Sequence, residues 1–123
     1  MTNVTWYKAK VVVGAQNGRQ IGFPTVNLDP HILPSLMRQG IYSSTVIYKD
    51  KTYQGALYFG PRTLHKETVP ILEIHILDFN KNIYGEEVTF SINSFIREIK
   101  SFSSMDELKK QIHKDIDDIK NKL

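Results

Sequence analysis

From residue 6 to residue 92, apolar side chains come in short bursts that partly alternate with polar ones, and turn-forming residues separate the bursts. Trp6 to Val13 alternates in part and ends in three valines, and Ile41 to Tyr48 is dense in β-branched and aromatic residues. Tyr53 to Phe59 follows the turn-like Lys49-Asp50-Lys51. Ile71 to Phe79 and Ile83 to Ile92 flank the polar Asn80-Lys81-Asn82, and Val88, Phe90 and Ile92 share one face at period two. Branched and aromatic side chains suit a pleated, half-buried surface, so each burst reads as a strand. Successive strands joined by polar turns predict a mainly β chain, a meander or Greek-key barrel.

The period changes near the C-terminus. Met105, Leu108, Ile112, Ile116, Ile119 and Leu123 recur at steps of three and four, the stripe of an amphipathic helix of roughly 18 residues. Ser104 and Glu107 have capping-box spacing, and Asp106 with Lys110 and Asp118 with Lys122 are acid-first pairs suited to the exposed face. This helix is expected to cover part of the barrel and to serve packing alone. Pro24 to Gly40 has too little periodicity for a regular element beyond a helical turn around Pro34 to Arg38, and Gly60 to Pro70 reads as loop.

At 123 residues and 41% hydrophobic content the chain can bury one core unaided. Cysteine is absent, which excludes disulfides, thiol nucleophiles and zinc-thiolate sites. The start Met1-Thr2-Asn3-Val4-Thr5-Trp6 lacks the pattern of an export signal, and nowhere do 18 apolar residues run together. A cytoplasmic protein with no membrane partner is expected. The net charge of +3, from 16 basic against 13 acidic residues, is scattered, without the aromatic and arginine platform of a nucleic-acid binder. The four histidines show no zinc-like spacing.

Chemistry concentrates in Gly18-Arg19-Gln20-Ile21-Gly22-Phe23-Pro24-Thr25-Val26-Asn27. Glycines, here Gly18 and Gly22 with Gly14 just before them, let backbone N–H groups approach a phosphate, and Arg19 adds positive charge. Pro24 stiffens the turn before two neutral oxygen donors, Thr25 and Asn27, and a hard cation such as Mg²⁺ needs few protein oxygens when phosphate and water complete its shell. The same two side chains are also common in ordinary turns. The run lacks the lysine of a P-loop. A second candidate is Glu73: alternation in Ile71 to Phe79 puts Leu72, Ile74 and Ile76 on one face and Glu73 with His75 on the other. A carboxylate there is placed either to orient an attacking hydroxyl or simply to face water.

The glycine run closely resembles the Gly-Arg-x-x-Gly-Phe-Pro-Thr-Ala-Asn signature of riboflavin kinases, with Val26 where alanine is usual. Leu72 to Phe79 is similar to the Leu-Glu-Val-His-Leu-Leu-Asp-Phe stretch of the bacterial enzymes, and Gly40-Ile41-Tyr42, Tyr84-Gly85 and Phe95-Ile96-Arg97-Glu98 with Phe102 follow the family's order. The resemblance runs from about Lys10 to about Lys120. It implies a single domain over residues 1–123, a six-stranded antiparallel Greek-key β-barrel with a C-terminal helix, and transfer of phosphate from ATP to riboflavin to give FMN and ADP. By the same resemblance Glu73 is the base, and Gly14, Gly18, Arg19, Gly22, Pro24, Thr25 and Asn27 hold the nucleotide. Thr25 and Asn27 hold Mg²⁺, while Arg97 and Phe102 lie beside the flavin. One stretch departs: Tyr58 stands in place of a family asparagine, and Pro61-Arg62-Thr63 disrupts the usual Arg-Pro-Thr order. A monomer is expected, and nothing in the length leaves room for the adenylyltransferase often fused to this domain, so FAD synthesis is not expected. The rival readings are a barrel of the same fold that binds flavin or nucleotide without turnover, and a small barrel that binds nucleic acid.

Overall fold

The computed structural model of the chain describes residues 4–13, 23–61 and 69–121. Among these, six strands form one antiparallel sheet: β1 (Trp6–Lys10), β2 (Val26–Leu28), β3 (Gly40–Tyr48), β4 (Lys51–Gly60), β5 (Ile71–Ile76) and β6 (Glu87–Arg97), in the order β1-β6-β3-β4-β5-β2. β3, β4 and β5 are a meander, and β6 returns to lie beside β3, which is the Greek-key arrangement. Lys49 and Asp50 both take left-handed backbone angles, φ 46° and 67°, and this two-residue turn sets the Tyr48↔Lys51 register of the β3–β4 hairpin.

Register shifts between β3 and β6, at Ile41/Tyr42 and at Ser43/Ser44, bend the sheet. It curls into a half-barrel whose outermost strands approach each other: Val12, just past β1, donates its N–H to the Asn27 carbonyl on β2 at 2.8 Å. The inner face carries the core. Leu28, Val46, Leu57, Leu72, Ile74, Val88 and Phe90 are all buried there, each worth about 1.5–3 kcal/mol relative to exposure. Ser44, also buried, donates its hydroxyl to the Ser91 carbonyl at 2.7 Å.

The helix α1 (Met105–Lys120) packs on the outer face, against β4 and β6, with Ile119 buried beneath it. Ser104 caps it by accepting from the Glu107 N–H at 3.2 Å. The reciprocal half of the expected capping box is displaced by one residue, because the Glu107 carboxylate reaches the Ser103 N–H and hydroxyl instead. Several strand boundaries differ from expectation: β1 stops at Lys10, short of Val13, while β3 and β4 each extend one or two residues further than expected. β5 stops at Ile76, and β6 begins at Glu87, after a turn in which Gly85 holds φ 81°, then runs on to Arg97. The stretch from Pro24 to Gly40 supplies the sixth strand, β2, and a 3₁₀ turn at Pro30–Ile32. The expected turn near Pro34 is also present, closed by the Met37 N–H on the Pro34 carbonyl at 3.1 Å. Among the described residues no helix is long and apolar enough to cross a membrane.

Candidate functional site

Side chains of residues directly opposite in an antiparallel pair project to the same face. Asn27 on β2 lies opposite Glu73 on β5, Glu73 opposite Tyr58 on β4, Tyr58 opposite Ile41 on β3, and Ile41 opposite Arg97 on β6. A single row across the outer face therefore carries the expected base, one expected metal ligand and one expected flavin-side residue. β5 is an inner strand, flanked by β4 and β2, so Glu73 is half-buried rather than on a wet edge.

At the β2 end of the row, the Thr25 hydroxyl donates to Glu73 Oε2 at 2.8 Å. A threonine hydroxyl that donates one hydrogen bond keeps lone pairs for a cation. Asn27 is 5% exposed, and its side-chain nitrogen has no hydrogen-bond partner among the described residues. An unmet buried N–H donor is costly, and an acceptor beside it, such as a phosphate oxygen, relieves the cost. Two neutral oxygens next to one carboxylate form a donor set that suits a hard divalent cation.

The segment leading to Thr25 is held from two sides. His75 faces the same side of β5 as Glu73 and donates from Nδ1 to the Pro24 carbonyl at 2.8 Å. Phe23, 8% exposed, meets the His75 ring edge-on with centroids 5.5 Å apart, and the His113 ring of α1 in the same way at 4.9 Å. Beyond this segment, Thr25 and Pro24 also line a cavity of about 360 Å³ toward the inner side of β2 and β5. Its walls come from Val11, Val26, Ile74, Ile76 and the loop from Phe79 to Tyr84, including Lys81.

At the β6 end, Arg97 is 12% exposed and is gripped by Asp115 of α1, 5% exposed, through Nε and Nη2 at 2.8 Å each. Gln111 adds a bond to the same carboxylate at 2.9 Å. Arg97 Nη1 donates to the Glu98 carbonyl at 2.9 Å, and the guanidinium lies 5.9 Å from the centre of the Phe102 ring. Tyr58, between the two ends, donates its hydroxyl to the Pro61 carbonyl. Burial, reinforced by the negative charge of Glu73 and opposed by Arg97, pushes the Tyr58 phenol up to about 12, so it stays a neutral donor at working pH.

The structure thus unites Thr25, Asn27 and Glu73, sets Pro24 beside them, and puts Arg97 with Phe102 at the far end of the same row. Gly14, Gly18, Arg19 and Gly22 lie outside the described residues, as do Arg62 and Thr63. Sequence reasoning missed His113, Gln111, Asp115 and the cavity-lining loop. Asp115 carried a readable signal: it sits three residues after Ile112 and four before Ile119, on the apolar stripe of α1, where a carboxylate needs a cation.

Comparison with known proteins identifies the family and the fold. The family described as Flavokinase, riboflavin kinase, matches residues 2–123. An RNA-binding riboflavin kinase, RibR, from Bacillus subtilis is 39% identical over 107 residues, covering 86% of this chain and 46% of the relative. Among solved structures, riboflavin kinase from Trypanosoma brucei superposes with a TM-score of 0.65 at 25% identity, covering 94% of this chain and 77% of its own. A chain solved as a macrolide-efflux protein from Streptococcus pneumoniae superposes with a TM-score of 0.77 at 30% identity, covering 94% and 38%. The fold is that of a small flavokinase barrel. The chain belongs to the riboflavin kinase family. It spans less than half the length of curated relatives it matches, 17% of one and 46% of another.

Proposed function

We propose that the chain transfers the terminal phosphoryl group of Mg-ATP to the ribityl 5′-hydroxyl of riboflavin, giving FMN and ADP, and that it does so in the cytoplasm as a monomer. The observation that carries this reading is the hydrogen bond from Thr25 to Glu73, with Asn27 directly opposite Glu73 in the sheet. Thr25 belongs both to the wall of the cavity and to the Glu73 face, so a nucleotide seated in the cavity presents its phosphates past Thr25 toward the carboxylate. Thr25 and Asn27 would hold the Mg²⁺, which when bound offsets the charge on the phosphates.

Glu73 accepts the proton of the ribityl hydroxyl as its oxygen bonds to the γ-phosphorus, and the bond from that phosphorus to the ADP oxygen breaks. The remaining protein work is orientation. Arg97 and Phe102 lie three strands away along the row, about 14 Å at ordinary strand spacing, the scale of a flavin ring with its extended tail. Gly14 to Gly22, with Arg19, supply backbone donors and positive charge to the phosphates in this reading.

A steady-state assay of riboflavin phosphorylation with Mg-ATP tests the proposal and separates it from a flavin- or nucleotide-binding barrel without turnover. Glu73→Gln preserves shape and an acceptor for Thr25 but not basicity, so kcat is expected to fall at least about a hundredfold while Mg-ADP still binds. Turnover within about threefold of the wild type would remove Glu73 as the base.

A further inference from the structure

Two side chains near the site have no part in the chemistry above, His75 of β5 and His113 of α1, and both rings close on Phe23. We infer that His75 and His113 are positioning residues for the nucleotide end of the site: together they fix Phe23 and the Pro24 carbonyl, and so hold the Thr25 hydroxyl against Glu73. The inference rests on the proposed kinase reading and deepens it.

The argument is geometric. Thr25 is the residue before β2, and its place is not set by a strand ladder of its own. What fixes it is the two residues ahead of it. The Pro24 carbonyl accepts from His75 Nδ1 at 2.8 Å, which ties the backbone one peptide before Thr25 to β5, two residues along that strand from Glu73. Phe23 is buried between two imidazole edges, at 79° to His113 and 86° to His75. Such edge-to-face contacts prefer this geometry and resist rotation of the ring. β5 therefore supplies both the carboxylate and the anchor for its partner, so the separation of Thr25 from Glu73 is set within one strand.

His113 adds a contact from a different layer. Its helix grips Arg97 through Asp115, two residues further on, so α1 touches the segments at both ends of the row. The helix is thus more than a cover for the barrel. The inference predicts a selective effect: loosening Phe23 impairs use of the nucleotide and leaves use of the flavin alone.

The test uses the whole chain and three variants. His113→Ala removes the ring, His113→Phe restores an edge-to-face partner, and His75→Phe keeps a ring while deleting the donor to Pro24. KM is measured for Mg-ATP at saturating riboflavin and for riboflavin at saturating Mg-ATP, with thermal unfolding alongside. His113→Ala and His75→Phe are expected to raise the KM for Mg-ATP about fivefold, with that for riboflavin within twofold. His113→Phe is expected within twofold of wild type in both. His113→Ala and His75→Phe proteins that fold normally and leave both constants unchanged, or move both by the same factor, overturn the inference, as does a His113→Phe protein as impaired toward Mg-ATP as His113→Ala. Should His113→Ala fail to fold, His75→Phe still decides it through the nucleotide-selective loss. A wild-type chain that binds Mg-ADP by calorimetry without turnover sinks the kinase reading alone, and the same variants are then compared by Mg-ADP affinity. A wild type that neither turns over nor binds Mg-ADP overturns both.

Discussion

Replacing Asp115 with asparagine keeps the side chain's shape and removes its charge. In the native fold its carboxylate accepts from Arg97 Nε and Nη2 at 2.8 Å and from Gln111 Nε2 at 2.9 Å, with only 5% of the Asp115 side chain and 12% of Arg97 exposed. An asparagine offers one oxygen to those three donors, adds an N–H of its own, and leaves the guanidinium without a counter-charge. Breaking a buried pair in this way costs about 3–5 kcal/mol. For 123 residues the unfolding entropy is about 0.26 kcal/mol per degree near 60 °C, so Tm is expected to fall by about 12–19 °C. Calorimetric or circular-dichroism melting measures the shift. Because an ion pair must recover its own desolvation, replacing both partners by apolar residues, Arg97→Met with Asp115→Leu, is expected to restore much of the loss. A drop of under about 3 °C for Asp115→Asn would refute the account of Arg97 as a buried cation held by one carboxylate. So would a double variant less stable than Asp115→Asn by the full cost of a second broken pair.

Thr25→Val keeps the volume and removes the hydroxyl that meets Glu73; Mg-ADP affinity in calorimetry is expected to weaken about tenfold, and unchanged affinity would count against Thr25 as a ligand. Tyr58 titrates at about 12 in the fold against about 10 unfolded, so the folded chain retains a proton that the unfolded one has lost and stability falls as pH rises through that window. The stability of the wild type relative to Tyr58→Phe is therefore expected to decline between about pH 10 and about pH 12, and a difference that stays flat over that range in urea titrations would contradict it. At Gly85, φ is 81° and an added Cβ meets nothing within 4 Å, so Gly85→Ala is expected to cost about 1–2 kcal/mol through backbone conformation alone; an unmoved urea midpoint would show that the turn relaxes.

What could be read ahead of the structure follows from how local each signal is. β5 announced itself because Leu72, Ile74 and Ile76 alternate with Glu73 and His75, and the burial of that strand alternates in the same order. α1 did so through its stripe. β2 did not: Val26, Asn27 and Leu28 are too few to show a period, and the segment becomes a strand only by pairing with β5. The late start of β6 has a similar cause, since Ile83 is buried as the pattern required but lies ahead of the Tyr84-Gly85 turn, outside the ladder. The far end of β6 hides for the opposite reason. Asn93 and Ser94 look like loop residues, yet Asn93 donates to the Thr45 hydroxyl at 2.9 Å and the Ser94 N–H to the Ser43 hydroxyl at 3.0 Å, beside a bulge that accommodates them.

The site divides along the same line. Thr25 and Glu73 were each nameable from a short motif, but 48 residues separate them, and their contact depends on the β2–β5 register, which no local pattern encodes. Asp115 is the instructive case, because its oddity was local. An acid on an apolar helix stripe must be paired, and the one partner that makes sense of it is a cation on the sheet beneath, here Arg97. Reading such a violation as a demand for a partner, rather than as noise in the stripe, would have tied the C-terminal helix to the far end of the row before any coordinates. The same logic explains why His113 stayed hidden. It sits where a surface residue is unremarkable, and its meaning comes entirely from Phe23, which reaches it from 90 positions away.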